Sequence, residues 1–275
     1  MKKLSARRRH PLAAIVVLLF ALAATGGLYA AFAPVGEAKA DNSVASSQSL
    51  AIEEGKKLYA VGCSSCHGTG GQGSSDGPSL VGVGAAAVDF QVGTGRMPMQ
   101  SPGVQAPEKP KVYTQAEIDQ LAAYVASLGA GPSVPTKEQY SPEGLSAKEI
   151  GEGGKLFRTN CAQCHNFTGQ GGALTKGKYA PNLRDVPPKY IYEAMLTGPQ
   201  DMPAFPNTVL PEQQKKQIIA YLGEVNTSET EDPGGWALGG FGPVSEGLFT
   251  WTIALAVLIG VTVWIAARNA KARKS

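Results

Sequence analysis

The residues able to do chemistry stand in two short clusters, Cys63-Ser-Ser-Cys66-His67 and Cys161-Ala-Gln-Cys164-His165, which use all four cysteines of the chain. Cys-x-x-Cys-His is the attachment signature of c-type haem. Two cysteines separated by two residues lie on one side of a helical turn, where both can form thioethers to the haem vinyl groups. The histidine that follows then points at the iron as proximal ligand. Competing chemistries fit less well. A structural zinc ribbon needs its Cys pairs about 15–20 residues apart, whereas these two pairs are offset by about 98 residues. A thioredoxin-like pair needs no following histidine, and no βαβ pattern surrounds either motif. Two covalently bound haem c groups are therefore expected, held by Cys63, Cys66, Cys161 and Cys164, with His67 and His165 on the irons.

The sixth iron ligand follows from a short inventory. The chain has three histidines, and the one outside the motifs, His10, lies in a basic N-terminal stretch. Bis-histidine ligation within the chain is thereby excluded. Beyond Met1 the methionines are Met97, Met99, Met195 and Met202. A methionine thioether raises the potential, as in ordinary electron-transfer cytochromes c. Met97 and Met202 each precede a proline in corresponding places and are the candidate axial ligands, with Met99 standing as an alternative to Met97. Met195 lies inside the helical run 190–196 and reads as core filler. In cytochromes c a proline carbonyl accepts the proximal imidazole N–H, and Pro78 and Pro181 occupy that place. Tyr124 and Tyr221 read equally as haem-edge contacts or as packing aromatics. No paired carboxylates stand in a catalytic frame. The glycine-rich stretches after each motif do not follow a strand, which argues against a phosphate loop.

The elements that must position these residues occur twice. Gly55-Lys-Lys-Leu58-Tyr59 and Gly154-Lys-Leu156-Phe157 each run into a haem motif, and Gly77-Pro78 and Ala180-Pro181 follow it. Thr94-Gly95-Arg96-Met97-Pro98 then matches Thr197-Gly198-Pro199-Gln200-Asp201-Met202-Pro203. Each copy closes in a helix-like run with apolar residues on one face, Ile118, Leu121, Val125 and Leu128 in the first and Ile218, Leu222 and Val225 in the second. Thr114 and Glu117 spell a capping box for the first, and Pro211 suits the first helical position of the second.

Two apolar runs bracket the duplication. Residues 12–33 and 247–267 hold no charge, and each is long enough for a bilayer span of about 20 residues. Lys2, Lys3, Arg7, Arg8 and Arg9 precede the first; Arg268, Lys271, Arg273 and Lys274 follow the second. By the positive-inside rule both basic tails are cytoplasmic and the repeats lie outside. The first run is a retained anchor or a cleaved signal peptide; Ala31-Phe32-Ala33 and Ala38-Lys39-Ala40 both suit cleavage. The net charge of +3 conceals an asymmetry. Nine of the 25 Lys and Arg lie in the tails, which hold no Asp or Glu, so the exported part carries all 22 acidic residues and a balance of −6. Four cysteines exclude a disulfide scaffold of this length, and the absence of a basic stripe excludes nucleic acid as a partner.

The expected fold is all-α: two tandem class-I-like cytochrome c domains, a C-terminal transmembrane helix and an N-terminal apolar helix. The expected divisions are 1–33 for the basic tail and signal-anchor, 34–48 linker, 49–130 first cytochrome c domain, 131–145 linker, 146–226 second domain, 227–246 linker, 247–267 transmembrane helix and 268–275 cytoplasmic tail.

This order of motifs between two apolar runs resembles the cytochrome cc subunit of the actinobacterial cytochrome bcc complex. The haem motifs alone specify only a cytochrome c; Cys63–His67, Met97-Pro98, Cys161–His165, Met202-Pro203 and the final anchor together carry the likeness. It implies a chain that itself only transfers electrons, as the cytochrome c subunit of a quinol–cytochrome c oxidoreductase (a translocase). The implied partners are cytochrome b, the Rieske iron–sulfur protein, a cytochrome aa3 oxidase and the lipid bilayer, with menaquinol as the electron source. The dihaem subunit of a cbb3-type oxidase, a dihaem peroxidase and a general membrane-bound carrier are the alternatives. The second apolar run argues against the first of these, and two matched Met-Pro pairs against the peroxidase.

Overall fold

A computed structural model describes residues 11–32, 42–227, 238 and 243–272. It is mostly helical, and the chain divides into two compact units, Met1–Ser47 and Gln48–Ser275. Helix α1 (Pro11–Phe32) belongs to the first unit. Eight helices follow in the repeats: α2 (Asn42–Gly62), α3 (Ser64–His67), α4 (Ala85–Gly93), α5 (Gln115–Ser127), α6 (Lys137–Tyr140), α7 (Ala147–Asn160), α8 (Ala162–His165) and α9 (Pro188–Thr197). Helix α10 (Glu212–Thr227) closes the second repeat, and α11 (Pro243–Ala272) is the last element. The all-α expectation needs one amendment. A two-stranded antiparallel ribbon pairs β1 (Gly172–Ala173) with β2 (Tyr179–Ala180) in the second repeat.

The duplication is visible atom by atom. In each repeat the helix before the haem motif crosses the closing helix at a glycine. A Cβ on Gly55 would lie 1.9 Å from the Gln120 carbonyl oxygen, and one on Gly153 would lie 1.9 Å from that of Gln217. Only a residue without a Cβ permits so close an approach of two backbones. One turn on, an aromatic pair fills the crossing: Tyr59 against Tyr124 at 5.1 Å and Phe157 against Tyr221 at 5.5 Å between ring centroids. Both closing-helix tyrosines thus pack at the crossing. Their apolar neighbours behave as the periodicity required, with Ile118, Leu121, Val125, Ile218 and Leu222 all buried and Val225 and Leu128 half-buried.

Helix ends follow the local chemistry. Thr114 accepts from the Glu117 amide and the Glu117 carboxylate accepts from the Thr114 N–H, the expected capping box; Ser146 and Glu149 form the same device on α7. Pro211 is displaced from its expected place by one residue. It stands just outside α10, where its carbonyl accepts from Gln214 and Lys215. Two expected linkers are also more structured than their composition suggested. Helix α2 already covers 42–48, and α6 forms within 131–145, behind Thr136.

Helices α1 and α11 are long and apolar enough to cross a membrane over Leu12–Tyr29 and Val244–Arg268. The threonine hydroxyls Thr25, Thr252 and Thr262 are satisfied inside the helix, on the Ala21, Leu248 and Ile259 carbonyls. A helix facing lipid has no water to supply such partners. Arg268 lies 4.8 Å over the Trp264 ring, a cationic and aromatic pair suited to the bilayer interface. The remaining basic residues of the N-terminal tail, Lys2 to Arg9, lie outside the described residues, as do both small-residue cleavage sequences beyond Phe32 and most of the expected linker 227–246.

Candidate functional site

Both haem motifs are built by the same break in a helix. At Cys63 the backbone leaves helical geometry (φ −130, ψ −33) and at Cys161 it does so again (φ −121, ψ −34). A single turn restarts at once, with the His67 amide on the Cys63 carbonyl at 3.0 Å and His165 on Cys161 at 2.9 Å. This kink folds each histidine back under its own motif, where both side chains are buried.

The imidazoles are held by the prolines that the sequence pointed to. Nδ1 of His67 lies 2.7 Å from the Pro78 carbonyl oxygen, and Nδ1 of His165 lies 3.0 Å from that of Pro181. The loops that present these carbonyls are pinned alike: Leu80 donates to Gly71 and Leu183 to Gly169, both at 2.7 Å. An Nδ1–H donated to a carbonyl fixes the tautomer and leaves the Nε2 lone pair as the available ligand atom. Burial lowers the His165 pKa, against a smaller upward pull from its bond to Pro181, so the ring is neutral. Burial, with the neighbouring cysteine second, pushes the Cys63 and Cys161 thiols up to about 11.

Met97 packs against the apolar cluster that also takes Cys63, and Met202 against the one that takes Cys161. Met99 lies instead beside Gly103, and Met195 is buried in the second core. The methionines that precede proline thus share an apolar cluster with a cysteine of their own motif. In the second repeat Cys161, Cys164, His165 and Met202 line one cavity of about 510 Å³. These features fit a covalently attached haem: paired free thiols, an imidazole with one nitrogen committed to a carbonyl, and a thioether on the wall of the same apolar cavity. A zinc centre finds no such match, since among the described residues no three His, Cys, Asp or Glu side chains converge.

Two features of the site escaped the sequence. The first is that the cavity of the second repeat is walled partly by the first, through Phe90, Gly93, Thr94, Arg96 and Ala106. Reciprocal amide pairs hold the repeats together there. The Gln105 side chain bonds both the N–H and the C=O of Tyr179, and the Gln200 side chain does the same to Ala106. The second is a buried charged cluster between α4 and α9. Lys189 Nζ lies 2.5 Å from the Asp89 carboxylate, which also accepts from Gln115 at 3.1 Å. The Glu193 carboxyl, fully buried beside Asp89, receives no hydrogen bond from a neighbouring donor. Burial, and then its contact with Asp89, push it up to about 9, so that it is a neutral acid that donates to the Asp89 carboxylate. Single charged residues in helical runs carry no signal of such a cluster.

Known proteins place this geometry. The family described as cytochrome c oxidase, cbb3-type, subunit III matches twice, over residues 50–125 and 148–222. The cytochrome bc1 complex cytochrome c subunit of Mycobacterium tuberculosis is 48% identical over 267 residues, 96% of this chain and 93% of the relative. The protein of the same description from Corynebacterium efficiens is 46% identical over 286 residues, 98% of this chain and 94% of the relative. The cbb3-type cytochrome c oxidase subunit FixP of Bradyrhizobium diazoefficiens is 30% identical over 146 residues, 50% of this chain and 46% of its own. A twice-matched cytochrome domain, flanked by two span-length helices and aligned end to end with these relatives, is an electron-carrying membrane cytochrome c, and the chain belongs to the family of cytochrome c subunits of the actinobacterial bc1 complex.

Proposed function

We propose that the chain carries two haem c groups, one on Cys63, Cys66, His67 and Met97 and one on Cys161, Cys164, His165 and Met202. In this reading it relays electrons from the Rieske protein of a menaquinol-oxidising bcc complex to a cytochrome aa3 oxidase. The observation that carries it is the shared wall of the second cavity: Arg96, next to Met97 in sequence, lines the cavity that holds His165 and Met202. Two redox centres so joined within one chain suit a relay with no diffusing carrier.

Haem bound at these sites supplies one-electron chemistry between ferric and ferrous iron. The residues of the chain do the rest. The Pro78 and Pro181 carbonyls hold each imidazole in one orientation and make it a better donor. Met97 and Met202 offer thioethers that favour the reduced state. The apolar cores that receive them keep water from the centres. Cytochrome b and the Rieske protein are the proposed partners on the quinol side. The asymmetry of charge supports haem repeats on the extracytoplasmic face, with basic tails inside. Tethering beside the oxidase raises effective concentration and lessens the need for electrostatic steering.

The test is affinity purification of the tagged full chain from native membranes, followed by a haem spectrum. Haem b and haem a are expected alongside haem c. A preparation with haem c alone would reject the relay.

A further inference from the structure

We propose that Arg96 of the first repeat is the cationic seat for the propionate carboxylates of the haem held by Cys161, Cys164 and His165, so that the second haem site is completed only by the first repeat. The inference rests on the proposed haem at that site and concerns how the chain binds it. The Arg96 side chain lines the cavity and is only 11% exposed. Its guanidinium carbon lies over the Phe90 ring, 5.2 Å from the centroid, and Phe90 is itself part of the cavity wall. The backbone beneath is clamped, since Lys109 Nζ donates to the carbonyls of Arg96 at 3.2 Å and Pro98 at 3.0 Å.

A guanidinium so far removed from water requires an anion, because a charge taken out of water without a close partner is strongly disfavoured. Among the described residues its carboxylate partner is weak. Glu108 lies 3.5 Å away, and its side chain is 67% exposed. The other cations of the wall stand in different surroundings. Lys178 is 2.7 Å from both oxygens of Asp201, and Arg184 is engaged by the Gln170 amide oxygen. Lys111 is exposed. Arg96 is thus a little-exposed cation of the cavity wall whose carboxylate neighbour is distant and solvated, and its planar fork matches a carboxylate in two-point contact. A haem brings two such carboxylates. The same residue sits one position before Met97, so the contact would also hold the two redox centres in fixed register.

The experiment is a redox titration of the full chain in native membranes, comparing wild type with Arg96→Gln, Arg96→Lys, Arg184→Gln and Glu108→Gln. The wave of the second haem is identified by its loss in Cys161→Ser/Cys164→Ser. Pyridine haemochrome analysis comes first: a wild type without two haems per chain fails the underlying haem reading, and with it the proposal. With two haems present, Arg96→Gln should raise the ferric-to-ferrous ratio of the second centre about three- to tenfold at fixed potential, the upper end being 59 mV. Arg96→Lys should restore part of the shift. Glu108→Gln, which removes a competing carboxylate, should move the same ratio the other way about twofold. A structural disturbance would not reverse its sign between these two variants. The proposal is overturned if Arg96→Gln leaves the second wave within twofold of wild type, or if Arg184→Gln moves that wave and Arg96→Gln does not. If Arg96→Gln loses a haem, an unmoved wave in Glu108→Gln overturns it.

Discussion

Glu193→Gln should make the haem region more stable, and increasingly so as pH rises. Glu193 is fully buried on α9 against Asp89 of α4, with Lys189 on the far side of Asp89. Its carboxyl is pushed from 4.5 in the unfolded chain up to about 9 in the fold. A raised carboxyl means that the folded state holds a proton that the unfolded state has released. Folding then takes up a proton throughout the interval between those values, and stability falls as pH rises across it. Each pH unit is worth about 1.36 kcal/mol, so the loss between pH 5 and pH 8 is about 4 kcal/mol, and at pH 7 the accumulated cost is about 3 kcal/mol. Glutamine has the shape of the protonated acid, donates to Asp89 as the O–H does, and does not titrate. Facing groups leave the interval clear. Burial alone would lower Lys189, but its bond and attraction to Asp89 outweigh that and raise it above 10.5, and burial raises Tyr190 above 10.0. Gln115 does not ionise, and any contribution from His165 is common to both proteins. Guanidinium unfolding of the full chain in detergent, followed by circular dichroism in the Soret band at pH 5, 6, 7 and 8, measures the difference. The variant should gain nothing at pH 5 beyond about 1 kcal/mol and roughly 4 kcal/mol more at pH 8. Parallel pH profiles for the two proteins would refute a protonated Glu193.

Cys164→Ser with Cys161→Ser should reduce covalent haem from two per chain to one by pyridine haemochrome, and the same pair of changes at Cys63 and Cys66 should do likewise. Met202→His should keep both covalent haems and lower the potential of one centre, since imidazole favours ferric iron more than a thioether does; an unshifted redox titration would reject Met202 as ligand. Gly153→Ala should cost about 3 kcal/mol or more, because the new methyl group meets the Gln217 carbonyl rather than a flexible side chain. Gly223→Ala, where a Cβ meets nothing within 4 Å, is the control, and denaturant midpoints compare them. Equal midpoints would show that α7 and α10 can separate without loss.

Much of the site was legible because its chemistry is local. A haem attachment motif is five consecutive residues, its proline carbonyl follows within one loop, and a capping box spans four positions; each is decided by neighbours in sequence. The repeat offset then located corresponding parts such as Tyr59 and Phe157, while the structure pairs Gly55 at the helix crossing with Gly153 rather than with the Gly154 that opens the matching sequence run. Composition misled where a finer local signal was present: proline-rich 131–145 includes a helical turn behind the Thr136 and Gln139 capping box, and α10 begins one residue after Pro211.

The sequence by itself determined two cytochrome c repeats between two span-length helices, since thiol spacing, hydropathy and charge are properties of short stretches. Tertiary structure decided how the repeats meet. That Met97 packs on the apolar cluster Cys63 also joins, that Arg96 lines the cavity of the second repeat, and that Asp89, Lys189 and Glu193 gather between α4 and α9 all depend on contacts between residues up to about a hundred positions apart. No periodicity records such contacts, because they are set by which faces two helices present once their cores are filled.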